Sequence, residues 1–351
     1  MSLENSSPIG TISSCGPKRD KSSSGFALTT IALLVLTLAL CVSSLSLGAR
    51  TIPLADALTA LMSLNPASTE YSVILERRVP RTIIAIVAGS ALASAGALLQ
   101  AITRNPLADT GVLGINAGAA FLAAVALSVL GWTSPVAFVT MALIGALATI
   151  ALVCRIGLDS SGGIAPLRLV LAGIAVGAIL EGISDGLALV DPQAFARLRA
   201  WMLGTVDIAG YQQIVISGIG LIIGSALVFP QLGSINLLSL GDESAAALGV
   251  NLKRTRALII VAVTIMAAAT TAAVGVFAFV GLATAHIVRS LGFHDDRSII
   301  CLSAVAGPAL LLLADVVGRL IIDSELPASV VVAFIAGPIL IASAQKDLYQ
   351  R

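Results

Sequence analysis

The segments 110–154, 208–241 and 257–285 contain no aspartate, glutamate, lysine or arginine. A helix rises 1.5 Å per residue, so about 20 residues cross the hydrocarbon core of a bilayer. Each uncharged run is too long for a single crossing, so the chain must turn back at the membrane surface or break within it. A break inside lipid is tolerated only where protein or a polar cavity covers the freed backbone groups. Residue chemistry suggests where the divisions fall. Gly131-Trp132-Thr133-Ser134-Pro135 divides the first run, and Pro230-Gln231-Leu232-Gly233 ends a span in the second. Gly275 and Gly281 permit a break in the third, before a short further segment.

The chain is 57% hydrophobic and 11% charged, against about 25% charged residues in a soluble domain. A soluble protein of this composition would need a largely uncharged surface. Aromatics make up only 4%, and abundant glycine and alanine favour close helix packing over an aromatic-girdled β-barrel. The expected fold is therefore an all-α integral membrane protein of about ten helices of about 20 residues. The expected spans lie near 26–47, 82–102, 111–130, 135–154, 167–187, 209–229, 257–275, 279–290, 299–320 and 327–344. A net charge of +1 offers no basis for nucleic-acid binding. Cys15, Cys41, Cys154 and Cys301 lack short metal-ligand spacing, so no metal site is expected. Residues 1–25 are polar and serine-rich, and the following apolar stretch is long enough to span, which favours an uncleaved first helix over a signal peptide.

Basic residues mark the cytoplasmic side of a membrane protein. With an even number of spans and a cytoplasmic N-terminus, every lysine (Lys18, Lys21, Lys253 and Lys346) falls inside, together with Arg19, Arg104, Arg155, Arg168, Arg254, Arg256, Arg289, Arg297 and Arg351. The expected organisation is a cytoplasmic tail 1–25, a transmembrane domain 26–346 and a cytoplasmic tail 347–351. Arg50, Arg77, Arg78, Arg81, Arg197, Arg199 and Arg319 are left outside and require a reason. Glycines one turn apart at Gly114/Gly118, Gly173/Gly177, Gly182/Gly186 and Gly220/Gly224 suit close helix contact but identify no site.

Several short patterns carry more specific chemistry. Arg78 and Arg81 flank Pro80 just before a span, where proline is tolerated because the first helical amide needs no acceptor. Such arginines can anchor to headgroups or accept acidic side chains of an external protein. Asp315 and Arg319 share a helix face, as do Glu181 and Asp185. In the segment 240–250, Asp242 and Glu243 suit the positive end of a short helix and Gly249 its termination, which reads equally as a solvent-bridging surface helix. Asn105-Pro106 is expected to end the second span, and Asp109 to cap the third.

Glu76-Arg77-Arg78-Val79-Pro80-Arg81 leads into Ala88-Gly89-Ser90-Ala91-Leu92-Ala93-Ser94-Ala95-Gly96, then Thr103-Arg104-Asn105-Pro106-Leu107-Ala108-Asp109 and Leu113-Gly114-Ile115. Leu240-Gly241-Asp242-Glu243, Phe279-Val280-Gly281-Leu282 with His286 to Arg289, and Leu313-Ala314-Asp315 through Arg319 to Pro327 follow in order. Across about 26–346 this resembles the FecCD/BtuC-like permeases of type II ABC importers, which take up iron-siderophores, haem and cobalamin. The resemblance implies a non-enzymatic transport subunit in a bacterial inner or cytoplasmic membrane. It implies a second permease (an identical copy or a close homologue) and two cytoplasmic ATPases that hold the ATP and magnesium. It also implies a periplasmic or lipid-anchored binding protein. Ferric siderophore is the leading cargo, with haem and cobalamin as alternatives.

By the same resemblance, Arg78, Arg81 and Arg319 would receive the binding protein, with Arg77 a weaker neighbour. Leu240, Gly241, Asp242, Glu243, Ala246, Leu248 and Gly249 would form the helix that couples to an ATPase. Asn105, Pro106 and Asp109 would form an inner turn or gate, and span five would line the path. The chain departs locally from the family at Gly275-Val276, Ala285-His286 and Ala336-Gly337-Pro338. It has no Gly-x-x-x-x-Gly-Lys-Ser/Thr phosphate loop, so ATP hydrolysis is expected elsewhere. An ion-coupled secondary transporter is the rival reading, since it too can use broken helices, but it needs neither a coupling helix nor a docking face.

Overall fold

The computed structural model describes residues 23–48, 53, 69–132, 134–157, 166–208, 210–321 and 325–349. Most of the expected N-terminal tail, Arg50, and the last two residues of the C-terminal tail lie outside the described residues. The described part is helical: α1 (Ser23–Ser46), α2 (Val79–Thr103), α3 (Ile115–Ser128), α4 (Pro135–Gly157), α5 (Pro166–Val190), α6 (Pro192–Met202) and α7 (Gln212–Val228). It continues as α8 (Leu232–Leu238), α9 (Asp242–Ala247), α10 (Leu252–Val274), α11 (Val280–Ser290), α12 (Asp296–Ile321) and α13 (Ala328–Tyr349).

Seven helical stretches among the described residues are long and apolar enough to cross a bilayer, not ten. The shortfall is confined to three segments. α3 has 14 residues and α11 has 11, while α13 runs for 22 and ends in the polar stretch Gln345-Lys346-Asp347. Fourteen residues rise about 21 Å, short of a core about 30 Å thick. In the expected span 111–130, hydropathy counts turn residues as helix. The 3₁₀ turn Thr110–Leu113 and Gly114 precede α3, while α11 is the second half of a run interrupted after Val274.

The second span also starts earlier than expected. An α-helical turn Thr69–Ser72 and a π-turn Val73–Arg78 run directly into α2. The amide of Val79 reaches back to the carbonyl of Ile74, so the register widens immediately before Pro80. The proline's missing donor thus falls at a change of register inside a continuous helix. The amphipathic helix α6 was not anticipated. Its Leu198 is buried, and Trp201 meets Phe138 of α4 edge-on at 5.3 Å.

α2 is the central helix, and small residues set how closely others approach it. Gly89 faces Gly307 of α12, and Gly96 faces Gly281 of α11; a Cβ at Gly96 would collide with the Gly281 backbone. Without a hydrophobic drive between helices in lipid, this close packing holds the centre together. Three of the expected glycine pairs contribute contacts elsewhere, but Gly182 and Gly186 of α5 have nothing within 4 Å. The break between α10 and α11 is covered by protein. Gly275 has φ +83, and a Cβ there would strike the carbonyl of Trp201. The amide of Thr205 donates to Val274 at 2.9 Å, so the segment after α6 satisfies the interrupted ladder.

α2 has 25 residues and so separates the two ends of the bundle by about 37 Å. At one end, the last turn of α1 meets the start of α2 and the end of α12. At the other, Arg104 meets α8 and α9. Phe26 of α1 packs edge-on against Phe293 at this second end, so α1 begins there.

Candidate functional site

The arginines expected on an outer docking face are gathered at one end of the bundle, but turned inward. Arg78, Arg81 and Arg319 are each less than 10% exposed. Asp315, 2% exposed, sits between two of them. Its carboxylate accepts from Arg81 Nε at 2.9 Å, and lies 2.7 Å from both Arg81 Nη2 and Arg319 Nη2. The i,i+4 spacing of Asp315 and Arg319 forms the pair anticipated for it.

The remaining donors close the end of α1. Arg319 donates to the carbonyls of Ser44 (3.1 Å) and Leu47 (3.0 Å) and to Ser44 Oγ (2.9 Å). Arg78 donates to the carbonyl of Leu45 at 2.5 Å. Helix C-termini leave unsatisfied carbonyls and a partial negative charge, so buried cations are favourable there. The guanidinium groups are thus paired within the fold, held by the end of α1 and by Asp315.

Two open cavities adjoin this knot. One, of about 310 Å³, reaches Arg77, Arg78, Arg81 and Arg319, and the other, of about 520 Å³, is lined by Arg81, Thr205 and Leu326 among others. Both share Arg81, Asp207 and Glu325. Glu325 lies 2.7 Å from Arg81 Nη1 and Asp207 lies 3.6 Å from it. Arg77 is exposed at the cavity edge.

The expected coupling segment forms at the opposite end. Gly241, with φ +107, turns the chain into α9, and Gly249, with φ +86, follows its end. Ala245 faces inward, while Glu243, Ala246 and Gly249 are exposed and Leu240 and Leu248 are about 60% exposed. A short helix thus projects an apolar surface beside an open groove of about 730 Å³.

Asp242 roots this helix in the bundle. Arg104, beyond the end of α2, lies 2.5 Å from Asp242 Oδ1 and donates to the carbonyl of Leu238. Arg256, at the start of α10, donates to both carboxylate oxygens at 2.9 and 3.0 Å. Burial alone would raise the Asp242 carboxyl, but Arg256 and Arg104 outweigh it and hold it below the usual carboxylate value. Arg104 was read only as a marker of the inner side, because its partner lies far along the chain.

The turn after α2 follows Arg104 at the same end. Asn105 and Pro106 are exposed at its tip, and Asn105 Oδ1 accepts from the amide of Leu107 at 3.0 Å. Asp109 is buried and caps the 3₁₀ turn, accepting from the amide of Gly111, rather than capping α3, whose N-cap is Gly114. Burial pushes its carboxyl above the usual value, opposed by backbone donors from Gly111, Phe279 and Thr110. The contact with Phe279 ties this turn to the break between α10 and α11. Among the described residues, no group of three histidine, cysteine, aspartate or glutamate side chains could hold a metal ion.

The profile of the FecCD transport family matches residues 35–346. The ferric enterobactin transport system permease protein FepD of Escherichia coli is 39% identical over 315 residues, covering 90% of this chain and 94% of that protein. The Fe(3+)-citrate import system permease protein YfmD of Bacillus subtilis is 38% identical, covering 93% of this chain and 96% of that protein. A solved structure of a metal-chelate type ABC transporter in an inward-facing conformation superposes with a TM-score of 0.79. It is 25% identical and covers 92% of this chain and 99% of that chain.

Proposed function

The chain belongs to the FecCD transport family, and we propose that it forms one half of the membrane path of an ATP-driven importer of ferric siderophores. It is a multi-span membrane permease of the ABC importer class, a transport subunit rather than an enzyme. The cargo assignment is carried by the full-length likeness to a ferric enterobactin permease, and the ferric citrate relative points to the same class of iron chelate.

The other half would be an identical copy or a close homologue. In α5, Glu181, Gly182, Asp185 and Gly186 are exposed on a largely apolar helix. A carboxylate facing lipid costs at least about 2.5 kcal/mol, which supports a water-filled path or a second subunit on this face. We read ten crossings, with α3 and α11 as short ones buried against neighbours and α13, 22 residues long, as the last. Both termini are cytoplasmic in this reading, as is α9, which docks through Leu240, Ala246, Leu248 and Gly249 into an ATPase that holds ATP and magnesium. Asn105, Pro106 and Asp109 form the inner gate turn. The arginine end receives the binding protein.

Reconstitution with a partner ATPase and binding protein tests the reading. Radiolabelled iron supplied as catecholate, hydroxamate or citrate chelates should enter vesicles only with ATP. Uptake of haem or cobalamin with no ferric chelate transported would overturn the cargo. Uptake driven by an ion gradient without ATP would overturn the mechanism.

A further inference from the structure

The arginines assigned to docking are already paired inside the fold, and beside the exposed Arg77 the cavity presents two partly exposed carboxylates. The Glu325 and Asp207 side chains are 32% and 43% exposed, against 9% and 2% for those of Arg81 and Arg319. Arg81 is thus held by two carboxylates of different kinds. Asp315 is 2% exposed, shared with Arg319 and fixed within α12. Glu325 covers the other side of the same guanidinium at 2.7 Å, from a turn outside any helix. Its φ of +54 lies in the left-handed region that non-glycine residues disfavour.

In this cluster Arg78, Arg81 and Arg319 are matched by Asp207, Asp315 and Glu325, with Arg77 exposed alongside. A carboxylate from outside is attracted by Arg77 but meets two like charges at the cavity. It can bind Arg81 only where one of them leaves. We propose that Glu325 is an internal stand-in for an acidic side chain of the external binding protein, and that docking exchanges one carboxylate for the other on Arg81. The proposal rests on the docking role assigned above. Such an exchange keeps the buried guanidinium paired in both states and avoids the penalty of an uncompensated buried charge. It also makes docking a competition, hence readily reversible.

The test is the affinity of the cognate apo binding protein for the assembled transporter in lipid nanodiscs at low salt. Glu325→Gln should bind about fivefold tighter, the scale of a partly exposed ion pair, while Glu325→Asp should bind like the unaltered transporter. Asp207→Asn should shift affinity in the same direction as Glu325→Gln, and by less. Unchanged or weaker binding by both neutral variants, with Arg81→Met and Arg77→Glu weakening it, rejects the exchange and leaves the docking role standing. Unchanged binding by Arg81→Met and Arg77→Glu rejects the docking role and the exchange together.

Discussion

Asp315→Asn isolates the contribution of the buried arginine knot. The substitution keeps the shape of the side chain but removes the charge between Arg81 and Arg319, each 2.7 Å from its carboxylate. Two buried guanidinium groups would then face one another without their shared counter-ion. Removing one member of a buried charge pair costs about 3–5 kcal/mol. At about 2 °C per kcal/mol for larger chains, the melting temperature should fall by about 6–10 °C. Glu325→Gln is the control, because it removes a carboxylate at the same distance from Arg81 whose side chain is 32% exposed. That change should cost no more than about 1 kcal/mol. The assay is thermal unfolding of the transporter in nanodiscs. Arg81→Met combined with Asp315→Asn should be less destabilised than the sum of the single changes, since both report the same interaction. Equal melting temperatures for Asp315→Asn and the unaltered protein, or for Asp315→Asn and Glu325→Gln, would refute the reasoning.

Asp242→Asn removes the carboxylate shared by Arg104 and Arg256, loosening α9 from the ends of α2 and α10. ATP hydrolysed per chelate imported should rise about fivefold, the scale of a modest coupling energy; an unchanged ratio would sink the strut. The two guanidinium groups depress this carboxyl, so the bridge is intact above its ordinary value of about 4 and is lost only on acidification through its lowered value. The coupling ratio of the unaltered transporter should therefore be flat between about pH 6 and pH 8, where the bridge stays ionised. A cysteine replacing Gly186 on α5, with native cysteines changed to serine, should react with a membrane-impermeant thiol reagent or cross-link two permeases. Protection from both would place that face against lipid.

The interruption between α3 and α4 and the break after Val274 were legible because glycine and proline interrupt helices locally. So was the short helix at 242–247, bounded by Gly241 and Gly249. At the expected span 111–130 the helix is shorter than the apolar run, because hydropathy cannot distinguish a buried turn from another helical turn. The 3₁₀ turn Thr110–Leu113 is as apolar as the helix that follows it. The π-turn before Pro80 and helix α6 left no comparable signal. Among the candidate residues, Asn105 lies in a turn, while Asp109 caps the 3₁₀ turn and not the third span that the sequence suggested. What Asp109 holds was not legible, since the amide of Phe279 lies far along the chain.

The sequence by itself determined a polytopic helical protein with its basic residues segregated to the two ends. Those properties follow from the cost of placing backbone and charge in hydrocarbon, and that cost is read residue by residue. Only the tertiary structure decided that Arg78, Arg81 and Arg319 are a satisfied, buried knot instead of an open basic surface. Arg81 and Asp315 are 234 positions apart, and Arg319 and Ser44 are 275 apart. The partners that decide whether a charge is exposed or buried come from remote helices. Their meeting depends on how α1, α2 and α12 pack, which no local pattern encodes.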